Sequence, residues 1–227
     1  MSIHNTIDVA QEQRVPFEFS EELITLSEPL GAGAEYIRAL RTHVLGRHME
    51  AGRRALAICE PAPGLGATFV AANLAISLAQ AGVKTLLIDA NLRAPSIQHI
   101  IKPDRELIGL RQCLTSIDIA SGPFLQDDVL PNLSVMFAGG AAVNAQELLA
   151  QTSFDEIITS YMRDFAMTII DTPPANSCAD ALRIAAVAGY SLIVTRRNRG
   201  LVSDLKILAG QLKSSGSAVI GGVLNNG

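Results

Sequence analysis

A chain of 227 residues, 48% of them apolar, is long enough for one large domain with a sizeable core. A formal charge of −4 and the absence of tryptophan give neither a basic face nor a base-stacking platform, so nucleic-acid binding is not expected. Cys59, Cys113 and Cys178 are widely spaced and read as free thiols of a reducing compartment. With no signal peptide and no apolar run of about 20 residues, the chain reads as soluble and cytoplasmic.

In chain order, residues 1–30 carry Pro16 and Pro29 and no sustained period, and read as an extended N-terminal arm; residues 31–227 read as the folded domain. "EYIRALRTHVLGR" (35–47) predicts a helix, because Ile37, Leu40 and Val44 form an apolar stripe, with Glu35, Arg38 and Arg41 as a charged stripe beside it. "ALAIC" (55–59) predicts a buried strand, "EPAPGLGAT" a turn, and "TFVAANLAISLAQAG" a helix ending near Gly82. "KTLLIDA" predicts a strand ending at Asp89; "LSVMFAG" predicts another, followed by one helix from about Ala145 to Met162. "AMTIIDTPP" is a strand ending at Asp171, then "ADALRIAAVAG" a helix, "YSLIVT" a strand, "LVSDLKILAGQLKSSG" a helix and "AVIGGVLN" a last strand.

Strands that are continuous apolar runs belong to a parallel sheet covered on both faces. Their alternation with helices predicts a doubly wound, mostly parallel α/β domain of the P-loop NTPase kind. Ligands of such sheets sit at the carboxyl ends of the strands, so the loops after Cys59, Ile88 and Ile170 are expected at one edge. A glycine loop between strand and helix turns backbone N–H groups toward a phosphate, which makes Gly64, Leu65, Gly66, Ala67, Thr68 and Phe69 the candidate nucleotide-binding segment. Thr68, Asp89 and Asp171 are the candidate metal ligands, and the implied cofactors are ATP or ADP with Mg2+. Taken singly, a strand-terminal aspartate could equally cap the turn that follows it.

These motifs, in this order, resemble the bacterial tyrosine kinases (BY-kinases) of polysaccharide co-polymerase systems, within the MinD/ParA-like P-loop superfamily. The resemblance runs from about Leu23 to Asn225 and rests on "EYIRALRT", "AANLAISLAQAGVKTLLIDANLRAP", "ELL" at 147–149 and "TIIDTPP…DAL". It implies ATP- and magnesium-dependent phosphorylation of a C-terminal tyrosine cluster, with Asp89 and Asp171 catalytic if the protein is active. It also implies a homo-oligomer assembled through Glu35, Arg38 and Arg41. The implied partner is an inner-membrane polysaccharide co-polymerase or chain-length protein, through which alone the chain would reach the membrane.

The chain departs from the family pattern at several positions. Ala67 stands where the family loop has lysine, Leu65 where it has glutamate and Phe69 where it has a hydroxyl; Asn91 replaces a second acid. No tyrosine-rich tail follows "GGVLNNG", and Tyr36, Tyr161 and Tyr190 lie inside predicted elements, where core or interface packing explains them. A charged hydrogen-bond donor is worth about 1.5–3 kcal/mol, so losing the lysine lowers nucleotide affinity by roughly ten- to a hundredfold. The expectation is a degenerate homologue, a regulatory or assembly subunit of exopolysaccharide or capsule export with little or no kinase activity. Two alternatives stay open: an active tyrosine kinase with a replacement cation from Arg196, Arg197 or Arg199, and a MinD/ParA-like ATPase switch.

Overall fold

The computed structural model describes residues 15–116 and 124–226. β1 (Phe17–Phe19) and α1 (Ile24–Ser27) lead into α2 (Ala32–His43), which continues as a π-helical turn over Val44–Met49. β2 (Ala55–Cys59), α3 (Ala67–Gln80) and β3 (Thr85–Asp89) make the first crossover unit. α4 (Ile97–Ile100), β4 (Ile101–Pro103), α5 (Leu110–Thr115), β5 (Gln126–Leu130) and β6 (Leu133–Met136) follow. The last third is α6 (Ala145–Ala150), α7 (Thr152–Asp164), β7 (Met167–Asp171), α8 (Asp180–Ala188), β8 (Tyr190–Arg196), α9 (Val202–Ser214) and β9 (Ala218–Asn225).

Seven strands form one sheet in the order β5-β6-β3-β7-β2-β8-β9, while β1 and β4 make a separate antiparallel ribbon. Within the large sheet only β5 runs antiparallel, against β6. The expected parallel, doubly wound α/β domain is therefore present. β2, β3 and β7 are all buried because alternate side chains enter opposite cores. Leu56 and Ile58 join α3 in one layer; Ala55, Ala57 and Cys59 face Ile184, Ala185 and Ala188 of α8 in the other. α3 is buried almost all round, between the sheet and α1 and α2, and its polar residues Asn73, Ser77 and Gln80, four and three apart on one stripe, bond to Thr25 of α1 and Arg41 of α2.

The structure differs from the sequence reading in three places. Residues 1–14 of the expected arm lie outside the described residues, and the rest is not simply extended: β1 pairs with β4, and Leu23 is fully buried. The physical anchor is Asn73 in α3. Its Oδ1 accepts from Thr25 N and Thr25 Oγ1, both at 3.2 Å, and its Nδ2 donates to Glu22 O at 3.0 Å. The helix expected from Ala145 to Met162 is two helices, because Gln151 adopts an extended backbone between them. The helix over 35–47 changes pitch at Val44, and the wider turn buries both Val44 and His48. Tyr161 and Tyr190 pack against the cores, as one half of the expectation has it; Tyr36 is exposed on α2, outside both cores. No helix among the described residues is long and apolar enough to cross a membrane.

Candidate nucleotide site

β3, β7 and β2 are consecutive and parallel, so the loops that follow them meet at one edge of the sheet, as the topology of the motifs requires. Asp89 and Asp171 pair across neighbouring strands, and Asp171 also lies opposite Ile58 of β2. The glycine loop turns through Gly64 and Gly66, at φ +80° and +103°, backbone that an L side chain resists. A Cβ on Gly66 would collide with the Asn225 amide, whose Nδ2 donates to Leu65 O at 3.3 Å. α3 begins directly after, at Ala67.

The residues predicted for the metal come together in part. Thr68 Oγ1 donates to Asp171 Oδ2 at 2.8 Å, and Ser96 Oγ lies 2.9 Å from the same hydroxyl. Asp89 is turned to its own loop. Its Oδ1 accepts from Asn91 N at 3.1 Å, and its Oδ2 accepts from Ser96 N at 3.0 Å and Ile97 N at 3.1 Å. Asn91 likewise accepts from Ala94 N, at 3.1 Å. Of the loop residues, Leu65 and Ala67 are buried, Ala67 with its methyl group in the core, and Phe69 packs half-buried against that core. These three side chains build the floor of the loop and offer nothing polar to a ligand.

The residue that sequence reasoning missed is Glu60. It follows β2 and is 7% exposed, and its Oε2 accepts from Leu65 N at 3.0 Å and from Ala67 N at 3.2 Å. These are the amides that a glycine loop aims at a phosphate. Burial raises the Glu60 pKa, against the lowering effect of the N–H groups of Ala67, Leu65, Gly66 and Gly64. An acidic residue directly after a wholly apolar strand, four positions before the first loop glycine, was the available signal.

Three buried carboxylates, Glu60, Asp89 and Asp171, therefore share the edge. Burial pushes Asp89 up to about 6, offset by its three backbone donors. Asp171 rises well above the carboxylate range through burial and then through the nearby charge of Asp89, with a smaller push from Glu60. No cation among the described residues balances them. Arg93 is committed to Asp180 at 2.7 Å, and the side chains of Arg196, Arg197 and Arg199 form no ion pair or hydrogen bond with any of the described residues.

Tested against Mg2+ and a nucleotide, the site splits. Asp171 Oδ1 is buried with no hydrogen-bond partner, beside the hydroxyls of Thr68 and Ser96, an oxygen-rich set that suits a hard cation. The phosphate half does not fit: its amides are already bonded to a carboxylate and its lysine position is Ala67.

Comparison with known proteins adds a family. An AAA domain model matches residues 53–201. The tyrosine-protein kinase CapB of Staphylococcus aureus is 30% identical over 198 residues, covering 87% of this chain and 86% of CapB. The tyrosine-protein kinase EpsB of Ralstonia solanacearum is 31% identical over 205 residues, 89% of this chain; the match spans only 27% of EpsB's length. Among solved structures, the chimeric protein CapA2B2 superposes with a TM-score of 0.83 at 25% identity, covering 94% of this chain and 95% of that one.

Proposed function

The chain belongs to the bacterial tyrosine-kinase family of P-loop AAA-domain proteins, and from that premise we propose that it is a degenerate member with little or no phosphotransfer activity. Its role in this reading is regulatory or architectural. It serves exopolysaccharide or capsule synthesis and export beside an inner-membrane polysaccharide co-polymerase, which ties it to the membrane, and it works as a homo-oligomer in the cytoplasm. The observation that carries the reading is Ala67. Phosphoryl transfer relies on positioned cations to offset charge at the phosphates. Here a methyl group packed in the core stands at that position, and three buried carboxylates share that edge of the sheet.

The surviving Thr68–Asp171 pair and the family membership support descent from an ATP- and Mg2+-binding site. Residual nucleotide contact in this reading is weak and unproductive. The test is transfer of radiolabel from ATP to the purified protein, to a tyrosine-rich acceptor and to the membrane partner, each with Mg2+ and Mn2+. The expected outcome is no transfer above background. Co-purification of the chain with the co-polymerase from membranes is expected to survive Ala67→Lys and Asp171→Asn. Robust transfer by the parent protein, abolished by Asp171→Asn, would overturn the assignment in favour of an active kinase.

A further inference from the structure

We infer that Glu60 is a built-in ligand of the glycine loop, an anion of the chain itself seated where a nucleotide phosphate would have to bind. The inference deepens the reading above and rests on it: Ala67 explains why the loop cannot use a phosphate, and Glu60 determines that it cannot readily accept one.

A glycine loop with converging N–H groups is a concave donor site that must be satisfied, because unpaired buried donors are costly. Relatives with a nucleotide-binding loop can leave that task to phosphate oxygens. In this chain a single carboxylate oxygen takes both Leu65 N and Ala67 N. The bond is fixed from both ends. Glu60 O accepts from Ala175 N at 2.9 Å and Pro61 O from Asn176 N at 3.0 Å, so the backbone carrying the carboxylate is tied to the segment after β7. Thr172 Oγ1 donates to Ile58 O at 2.8 Å, two residues before Glu60, and holds the strand end in the same way. The carboxylate is buried, so it cannot serve the loop and face solvent at once.

Two consequences separate this from an ordinary buried glutamate. First, the loop keeps its phosphate-binding shape with no nucleotide present. Second, a lysine restored at position 67 does not by itself restore binding, because the cradle is still full. Glu60→Ser, too short to reach either amide, opens the cradle while retaining a small polar side chain.

The first measurement uses the parent protein. Hydrogen exchange of the Leu65 and Ala67 amides is expected to be strongly protected without any ligand, and unchanged by Mg-ADP. The second is calorimetric titration of parent, Glu60→Ser, Ala67→Lys and the double variant with Mg-ADP and with inorganic pyrophosphate. Parent and Ala67→Lys are expected to show no saturable binding. Glu60→Ser should gain about tenfold or more over the parent, the worth of charge-assisted bonds recovered by the amides, and the double variant should bind tightest. Pyrophosphate should also raise the melting temperature of Glu60→Ser and leave the parent's unchanged.

Unprotected amides in the parent, equal binding by parent and Glu60→Ser, recovery by Ala67→Lys alone, or no gain in any variant would each overturn the inference. If Glu60→Ser does not fold, the exchange measurement on the parent still decides it. Failure here leaves the proposed function standing, because that falls only on phosphotransfer by the parent.

Discussion

At the scale of single residues, burial fixes protonation states far from the loop as well. His48 is 1% exposed; its Nε2 lies 3.0 Å from Ala55 O, which can only accept, so Nε2 carries the proton. Tyr190 packs edge-on against the imidazole, and Arg53 stacks over that tyrosine. Burial lowers the His48 pKa below 6.5; the Ala55 carbonyl pulls it back up and the Arg53 charge adds to the lowering. Well above pH 6.5 the histidine is neutral in folded and unfolded chains alike and contributes no slope. As pH falls through 6.5 the unfolded chain takes up a proton that the folded chain refuses, so stability is lost. The unfolding free energy of the parent relative to His48→Gln should be flat above about pH 7. Below that it should shrink toward acid by up to about 1.4 kcal/mol per pH unit, as read by urea titrations at each pH. The composition of this site was not legible in the sequence, because the π-helical turn that inserts His48, "VLGRHM", carries a single glycine, Gly46, and otherwise reads as a continuation of the α-helix before it. Glu60 escaped for a related reason: a lone acidic residue between a strand and a prolyl turn reads as loop polarity until its partners are known.

At the scale of elements, the long apolar runs were legible and the short polar ones were not. "ALAIC", "KTLLIDA" and "MTIID" announce themselves because both faces are buried. β5, "QDDVL", is an edge strand with two exposed aspartates, and only its pairing with β6 makes it a strand. The same tertiary dependence governs residues 17–27, whose short strand exists by pairing with β4 and whose single helical turn is held by Asn73 of α3. Removing that side chain strands Thr25 N, Thr25 Oγ1 and Glu22 O at once. Asn73→Ala should therefore cost about 2 kcal/mol or more. Exchange of the amides at residues 22–27 should accelerate well beyond the change seen in the sheet. A uniform acceleration everywhere would mean that Asn73 supports the core as a whole and not this segment.

At the scale of the whole molecule, the charged stripe of α2 has two different tasks. Arg41 Nη1 donates to Ser77 O at 3.2 Å and so binds α2 to α3 within one chain. Arg38 is held by Glu35 at 2.9 Å and by Pro29 O at 2.8 Å. Glu35 itself is 72% exposed. If this helix joins copies of the chain, the exposed Glu35 carboxylate, with Arg38 bonded to one of its oxygens, is the part that reaches outward. Glu35→Ala should shift the sedimentation profile toward smaller species with a stability change within about 0.5 kcal/mol. Arg41→Ala should lower stability by about 1–2 kcal/mol. An unchanged profile for Glu35→Ala would restrict the stripe to an intramolecular role. The order of motifs along the chain made the architecture and the family readable. The division of labour within one motif was not, since spacing places three charges on a face without saying which of them a neighbouring helix will claim.

The cysteines carry a practical consequence. Cys59 and Cys113 are buried, and burial pushes their pKa values up to about 12 and about 11, so neither offers a thiolate to a reagent at neutral pH. Cys178 is only half-buried, in the segment between β7 and α8 whose backbone amides at Ala175 and Asn176 tether Glu60 and Pro61. A maleimide fluorophore should therefore couple to one position of the unmutated protein. That position adjoins the loop's tether, so its emission would report in real time whether the loop ever lets go of its own carboxylate.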